Sequence, residues 1–154
     1  MRVIPFRNIY LDDVFQIQQQ AFFPLFQKYH DTETNPFLES KDVIFRKYSR
    51  SDTSGYIFLE QEIPVGAVRV IKQEETYKIS ALAVLPMYQN RGIAQAALKK
   101  IEAIHSDAKL WTLDTLQQEA GNCHLYEKLG YTQAGKSQKI NDKLTLVSYQ
   151  KEIK

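Results

Sequence analysis

The chain has 154 residues, 44% of them apolar and 25% charged, with a formal net charge of +2, which suits one soluble globular domain with one substantial core. So small a net charge gives no footing for nucleic acid as a partner. No apolar run of about 18 residues and no basic-then-apolar N-terminal segment occurs, so neither a membrane span nor a secretion signal is expected. The single cysteine, Cys123, permits no internal disulfide and suits a reducing, cytoplasmic compartment; no zinc-type Cys/His spacing appears, so no metal is expected.

Met1 to Arg7 reads as a first strand through Val3, Ile4 and Phe6. Asp12 is placed to cap a helix from Asp13 to about Phe23, with Val14, Ile17 and Ala21 on one face. Pro24 is expected to end or kink it. The segment Phe22 to Phe37 is dense in aromatics, closes in polar turn residues and has no clean period; its rings either fill the core of a helix–loop–helix or form one wall of a site. Glu39 to Ser49 reads as a second helix, with Val43, Ile44, Lys47 and Tyr48 partly buried, and Ser51 to Gly55 as a loop. Tyr56 to Glu60 is then a strand and Gln61 to Pro64 a turn. Val65 to Ile71 is the antiparallel partner, with Arg69 on the opposite side of the pleat from Val68 and Val70. Gln73 to Glu75 turns the chain into a central strand beginning at Tyr77.

The stretch Ala81 to Ala103 organises the rest. Ile79 to Leu85 is an apolar strand that Pro86 ends, since proline has no N–H for the ladder. Ile93, Ala97, Ile101 and Ile104, with Ala94 and Leu98 beside them, form one stripe of a helix, while Gln95, Lys99, Lys100 and Glu102 are expected to face water. Between strand and helix lies Gln89-Asn90-Arg91-Gly92-Ile93-Ala94. A helix opening straight from a turn offers unpaired N–H groups and the positive end of its dipole, and Gly92 and Ala94 leave room for an anion beside them. The same strand–turn–helix also serves as plain architecture in many α/β proteins. Lys109 to Thr115 reads as a short strand, Gln117 to Gly121 as a loop, and Asn122 to Leu129 as a short helix with Gly130 at its C-terminal end. Tyr131 to Ala134 and Lys143 to Lys151 are the last strands, joined by a polar turn region from Gly135 to Asp142. Leu144, Leu146 and Tyr149 are expected inward, and the alternation slips at Val147.

Two blocks carry a family resemblance. Gln89, Gly92 and Ala94 fill the Gln/Arg-x-x-Gly-x-Gly/Ala pattern at a helix start that resembles motif A of the GCN5-related N-acetyltransferases (GNAT). Asn122, Tyr126, Gly130 and Tyr131 are similar to the family's second block, Asn-x-x-x-Tyr-x-x-x-Gly-Phe/Tyr. The resemblance covers the last half of the chain closely and the first half in outline. It implies an α/β single-domain fold spanning 1–154, with a mixed, mostly antiparallel sheet of about six to seven strands flanked by about four helices and splayed at a coenzyme A site.

The resemblance also implies acetyl transfer from acetyl-CoA, as cosubstrate, to a primary amine by direct attack in a ternary complex. The coenzyme would meet the turn residues Gln89, Asn90, Arg91, Gly92, Ile93 and Ala94, the strand residues Leu82, Ala83 and Val84, and Asn122; backbone N–H groups of Leu82 and Val84 would polarise the acetyl carbonyl. Tyr126 would be the acid for the departing sulfur, with a core aromatic as its plainer reading. Phe26, Tyr29, His30, Asp31 and Glu33 are the acceptor-side candidates, their carboxylates suited to a cationic amine or to plain solvation. No carboxylate lies between Ile79 and Leu85, so Asp114 on the next strand is the first candidate base, with Glu33, Glu62, Glu119, His30 and ordered water behind it. Cys123 reads as structural, since the adjacent His124 points elsewhere on a helix. The acceptor is a small-molecule or peptide amine, and a homodimer is common among such enzymes. Two other readings stay open: a non-catalytic acyl-CoA-binding module of the same fold, and a nucleotide-binding protein, against which the missing phosphate-loop signatures weigh.

Overall fold

A computed structural model describes the backbone of residues 1–154 and every side chain except that of Lys136. In chain order the elements are β1 (Arg2–Pro5), α1 (Leu11–Tyr29), α2 (Lys41–Tyr48), β2 (Thr53–Glu60), β3 (Ile63–Gln73), β4 (Thr76–Val84), α3 (Ile93–Ile104), β5 (Leu110–Leu116), α4 (Ala120–Lys128), β6 (Thr132–Asn141) and β7 (Leu144–Glu152). One seven-stranded sheet runs β1-β2-β3-β4-β5-β7-β6. Every neighbouring pair is antiparallel except β4 and β5, which are parallel and joined through α3. The α/β class, the mixed and mostly antiparallel sheet and the four helices agree with the expectation from sequence.

Both faces of the sheet are covered. Val65, Val68, Val70, Ile79, Leu113 and Val147 pack with Ile93, Ala97, Leu98 and Ile101 of α3 and Tyr126 of α4. On the other face Ile57, Leu59 and Ala67 meet Val14 of α1 and Ile44 and Tyr48 of α2. This double cover explains the slip in β7: Val147 and Tyr149 point into the α3/α4 core, while Leu144 and Leu146 look into a cleft on the other side.

Several expected boundaries move. Asp12 does not cap α1; the helix starts at Leu11, and Asp12 and Asp13 sit in its first turn, where carboxylates complement the dipole. Pro24 neither ends nor breaks α1, which continues to Tyr29 and closes at His30 (φ 54°) with His30 N–H bonding Phe26 O at 2.8 Å. The lost bond falls on the exposed side, where water reaches Gln20, while Leu25 and Tyr29 are anchored inward. The second helix begins only at Lys41, after a 3-10 turn at Pro36–Leu38, because Ser40 caps it by accepting from Val43 N–H. Thr53 to Gly55 belongs to β2 and not to a loop, and the β2–β3 turn is only Gln61-Glu62, both at positive φ, as a two-residue hairpin requires. Most of the expected 135–142 turn region is strand β6, with register shifts around it. Ile104 is 54% exposed rather than on the core stripe. Glu102 does not simply face water: it accepts from Tyr131 Oη at 3.0 Å and Lys151 Nζ at 2.7 Å.

Candidate active site

The parallel pair that organises the site stays together for four residues only. β4 meets β5 from Thr76↔Leu110 to Ile79↔Leu113 and then parts from it. Past that point β4 carries one residue more than β3 between Ala67↔Ala83 and Arg69↔Ser80, and Ala81 takes φ +53° to absorb it. A bulge at such a place bends the strand, and a non-glycine residue at positive φ stores strain. The result is a cleft of about 430 Å³ between the diverging strands, lined by Ser80, Ala81 and Leu82 of β4, Leu113 to Leu116 of β5, Asn122 and Tyr126 of α4, and Phe22, Leu25 and Tyr29 of α1.

The turn into α3 lies just past the end of β4. Leu85 N–H still bonds Val65 O at 2.8 Å, after which Pro86–Tyr88 forms a 3-10 turn. Asn90 and Gly92 are left-handed (φ 62° and 78°), and Gly92 is the N-cap of α3 with no side chain closing it. The first N–H to bond back is that of Ala96, to Gly92 O at 3.0 Å, so those of Ile93, Ala94 and Gln95 open outward. A Cβ built on Gly92 would meet nothing within 4 Å; open space lies over the turn. Arg91 is exposed beside it, its guanidinium 5.3 Å from the Tyr88 ring centroid. These residues fit a pyrophosphate, and thus coenzyme A, on backbone donors and the helix dipole. Gln89 differs from the expectation: its Nε2 donates to Val84 O at 2.9 Å, so its amide holds the turn against β4. Ala83 and Val84 have buried side chains, which leaves only their backbone to a ligand, whereas Leu82 lines the cleft.

Tyr126 is buried but lines the cleft, and its hydroxyl has no hydrogen-bond partner among the described residues. Its ring is fixed by Tyr131 and Tyr149 at centroid distances of 6.1 and 6.2 Å. Burial raises its pKa well above that of a free phenol, so it is protonated throughout the working pH range and can only donate. Cys123 is half-buried, its Sγ 3.7 Å from Leu116 O, in keeping with a structural role. Asp114 sits at the start of the splay, where Oδ1 accepts from Ser148 Oγ at 2.7 Å and Oδ2 pairs with Lys78 Nζ at 3.2 Å.

On the acceptor side the structure keeps some candidates and sets others aside. Tyr29 lines the cleft, donates to Glu119 Oε2 and is held by Asn141 Nδ2 on its carbonyl at 2.9 Å. Asp31 also lines it, but its carboxylate is consumed in a turn, accepting from the N–H groups of Glu33 and Thr34 at 2.9 and 3.0 Å and from the Thr34 hydroxyl. These donors fix its orientation, and no cation among the described residues pairs with it. Phe26 packs on Phe37 (5.2 Å) and His30 (6.4 Å) away from the cleft, and His30 and Glu33 are exposed outside it. The lining adds residues not named as site residues from sequence: Glu39, Lys47, Arg69, Gln138, Leu144 and Leu146. Among the described residues no group of three His, Cys, Asp or Glu side chains could hold a metal ion, and no helix is long and apolar enough to cross a membrane.

Comparison with known proteins agrees with this geometry. The model of the acetyltransferase (GNAT) family matches residues 11–131. Among solved structures, the ribosomal-protein-S18-alanine N-acetyltransferase from Escherichia coli superposes with a TM-score of 0.80 at 15% identity, over 99% of this chain and 93% of that one. The spermidine N-acetyltransferase from Vibrio cholerae, in complex with CoA and spermine, gives 0.77 at 14% identity over 98% and 94%. An N-acetyltransferase from Staphylococcus aureus Mu50 gives 0.77 at 15% over 99% and 98%. At these identities the likeness is one of fold. No curated protein matches the sequence.

Proposed function

Because the chain belongs to the acetyltransferase (GNAT) family, we propose that it transfers an acetyl group from acetyl-CoA to a primary amine by direct attack in a ternary complex. The observation that carries this reading is a splayed parallel strand pair whose cleft is lined by Tyr126, with its unpartnered hydroxyl, and whose strand β4 leads directly into the uncapped start of α3. Bound acetyl-CoA supplies the activated thioester.

The chain's own residues then have separable tasks. The N–H groups at the start of α3 and the Arg91 side chain bind the pyrophosphate. Asn122 and the open edges of β4 and β5 hold the pantetheine arm. A backbone N–H at Leu82, just beyond the bulge, donates to the carbonyl oxygen as negative charge grows there; one such fixed donor is commonly worth ~3 kcal/mol. Tyr126 donates its phenolic hydrogen toward the departing sulfur. Asp114, whose oxygens also meet Ser148 and Lys78, receives the amine proton directly or through water.

Two structures sharing this fold are named for a ribosomal-protein alanine and for spermidine, so the fold accommodates peptide and small-molecule amines alike. The test is free-thiol release from acetyl-CoA with a panel of amines. Amine-dependent thiol release supports the reading. Coenzyme binding with no thiol release for any amine would favour a non-catalytic acyl-CoA-binding module.

A further inference from the structure

The acceptor side of the cleft holds a buried cation that is in no ion pair among the described residues. Arg69 of β3 is only 6% exposed, yet it lines the cleft. A guanidinium has five N–H donors, and burial lowers its pKa without discharging it. One donor is used, Nη2 to Ser80 Oγ at 3.1 Å. Among the described residues no carboxylate pairs with it. Tyr48 Oη, whose field reaches Arg69, is buried without any partner and so does not accept from it.

The carboxylates lining the same cleft are all committed elsewhere. Asp31 closes its turn. Glu39, the carboxylate whose field reaches Arg69, accepts from Gln18 Nε2 at 3.1 Å and pairs with Lys47. Asp114 is paired with Lys78. The Glu39–Lys47 and Asp114–Lys78 pairs neutralise themselves, which leaves two lining charges outside any ion pair: Asp31, held by the neutral donors of its own turn, and Arg69, held by one hydroxyl. A buried charge left unpaired is expensive, and an oxyanion entering the cleft relieves that expense with a bidentate, charge-assisted contact. The position is also suitable: Arg69 is the register partner of Ser80, next to the bulge at Ala81, so an anion on its guanidinium lies beside the proposed acetyl-transfer point.

We infer that the acceptor carries a carboxylate on the same small molecule as its amine, an aminocarboxylate such as an amino acid, and that Arg69 is the residue that binds that carboxylate. The inference rests on the acetyltransferase reading above. A polyamine would need several carboxylates outside ion pairs, and of the three that line the cleft Glu39 and Asp114 are paired, which leaves Asp31 alone.

The experiment measures thiol release from acetyl-CoA with matched acceptors: amino acids, their carboxamides, the corresponding decarboxylated amines, and spermidine. The acids are expected to exceed the carboxamides by roughly tenfold or more in kcat/KM, carried mainly by KM. Arg69→Gln should erase that preference while coenzyme A affinity and the thermal midpoint stay near wild type. Arg69→Lys, which keeps the charge but loses the fork, should retain part of it. Wild-type turnover of carboxamides or spermidine equal to that of the acids overturns the inference and leaves the acetyltransferase reading standing. No thiol release with any amine, under conditions where coenzyme A binds, overturns both. The acid-against-amide comparison uses the unmodified protein, so a substitution that fails to fold does not hide the answer.

Discussion

Tyr126→Phe separates chemistry from architecture because the hydroxyl it removes is bonded to no described residue. Its ring packs among Tyr131, Tyr149 and the α3 core, and Phe keeps all of those contacts. The deleted oxygen faces the cleft and bonds to no described residue, so the stability of the folded state should change by less than ~1 kcal/mol. Coenzyme A affinity, set chiefly at the α3 turn, should hold. What disappears is a donor to the departing sulfur, a contribution of about 10²–10⁴ in rate, or ~3–5 kcal/mol of barrier. Because burial keeps this phenol protonated, wild type should show no rate loss at high pH from Tyr126 itself. The assays are steady-state thiol release, coenzyme A titration and thermal denaturation on both proteins. A variant that acetylates at the wild-type rate would refute the acid assignment; one that is slow because it has unfolded would refute the packing argument.

Three further outcomes follow from particular residues. Gly92→Ala should destabilise the protein by about 1 kcal/mol, the strain of an L residue at φ +78°, and should weaken coenzyme A binding as well, since the new methyl projects into the open space over the turn; unchanged coenzyme affinity in a titration would count against the cradle. Asp114→Asn should lower the rate while coenzyme binding persists, and an unaltered rate would eliminate it as the proton acceptor. His105 is half-buried against Tyr56 Oη (2.7 Å) and its pKa is lowered, chiefly by burial. The unfolded chain therefore binds the extra proton first, and stability falls as pH drops through about 6.5. His105→Gln should lose less thermal midpoint than wild type between about pH 7.5 and about pH 5, and an equal loss would show that the ring is not responsible.

The parts of this fold that sequence makes legible are those where a local rule has no competitor. The Ile93–Ile104 helix has bounds set by Gly92 and by its own apolar period, and Tyr126 falls in the cleft because Asn122 and Gly130 fix its place on a short helix. Pro24 misleads because its lost hydrogen bond lies on the solvent side, a fact that only tertiary placement supplies. The acceptor wall is harder still. Asp31 and Glu33 look like amine-binding carboxylates in a one-dimensional reading, but how a carboxylate is held depends on backbone N–H groups that a turn aims at it. The signal for Arg69 is visible as a single charge inside the apolar run of β3; its want of a partner is visible only in three dimensions.

The claim on which everything rests is that the α3 turn and the splayed strands bind coenzyme A. Thermal denaturation in parallel with acetyl-CoA, coenzyme A, ATP and NAD tests it most directly. A ligand at a hundred times its Kd adds ~2.7 kcal/mol, which for a domain of this size is a shift on the order of 5–10 °C. The account predicts that shift with the two coenzyme A species and little with ATP or NAD. No shift with coenzyme A, or a larger one with ATP or NAD, would contradict it.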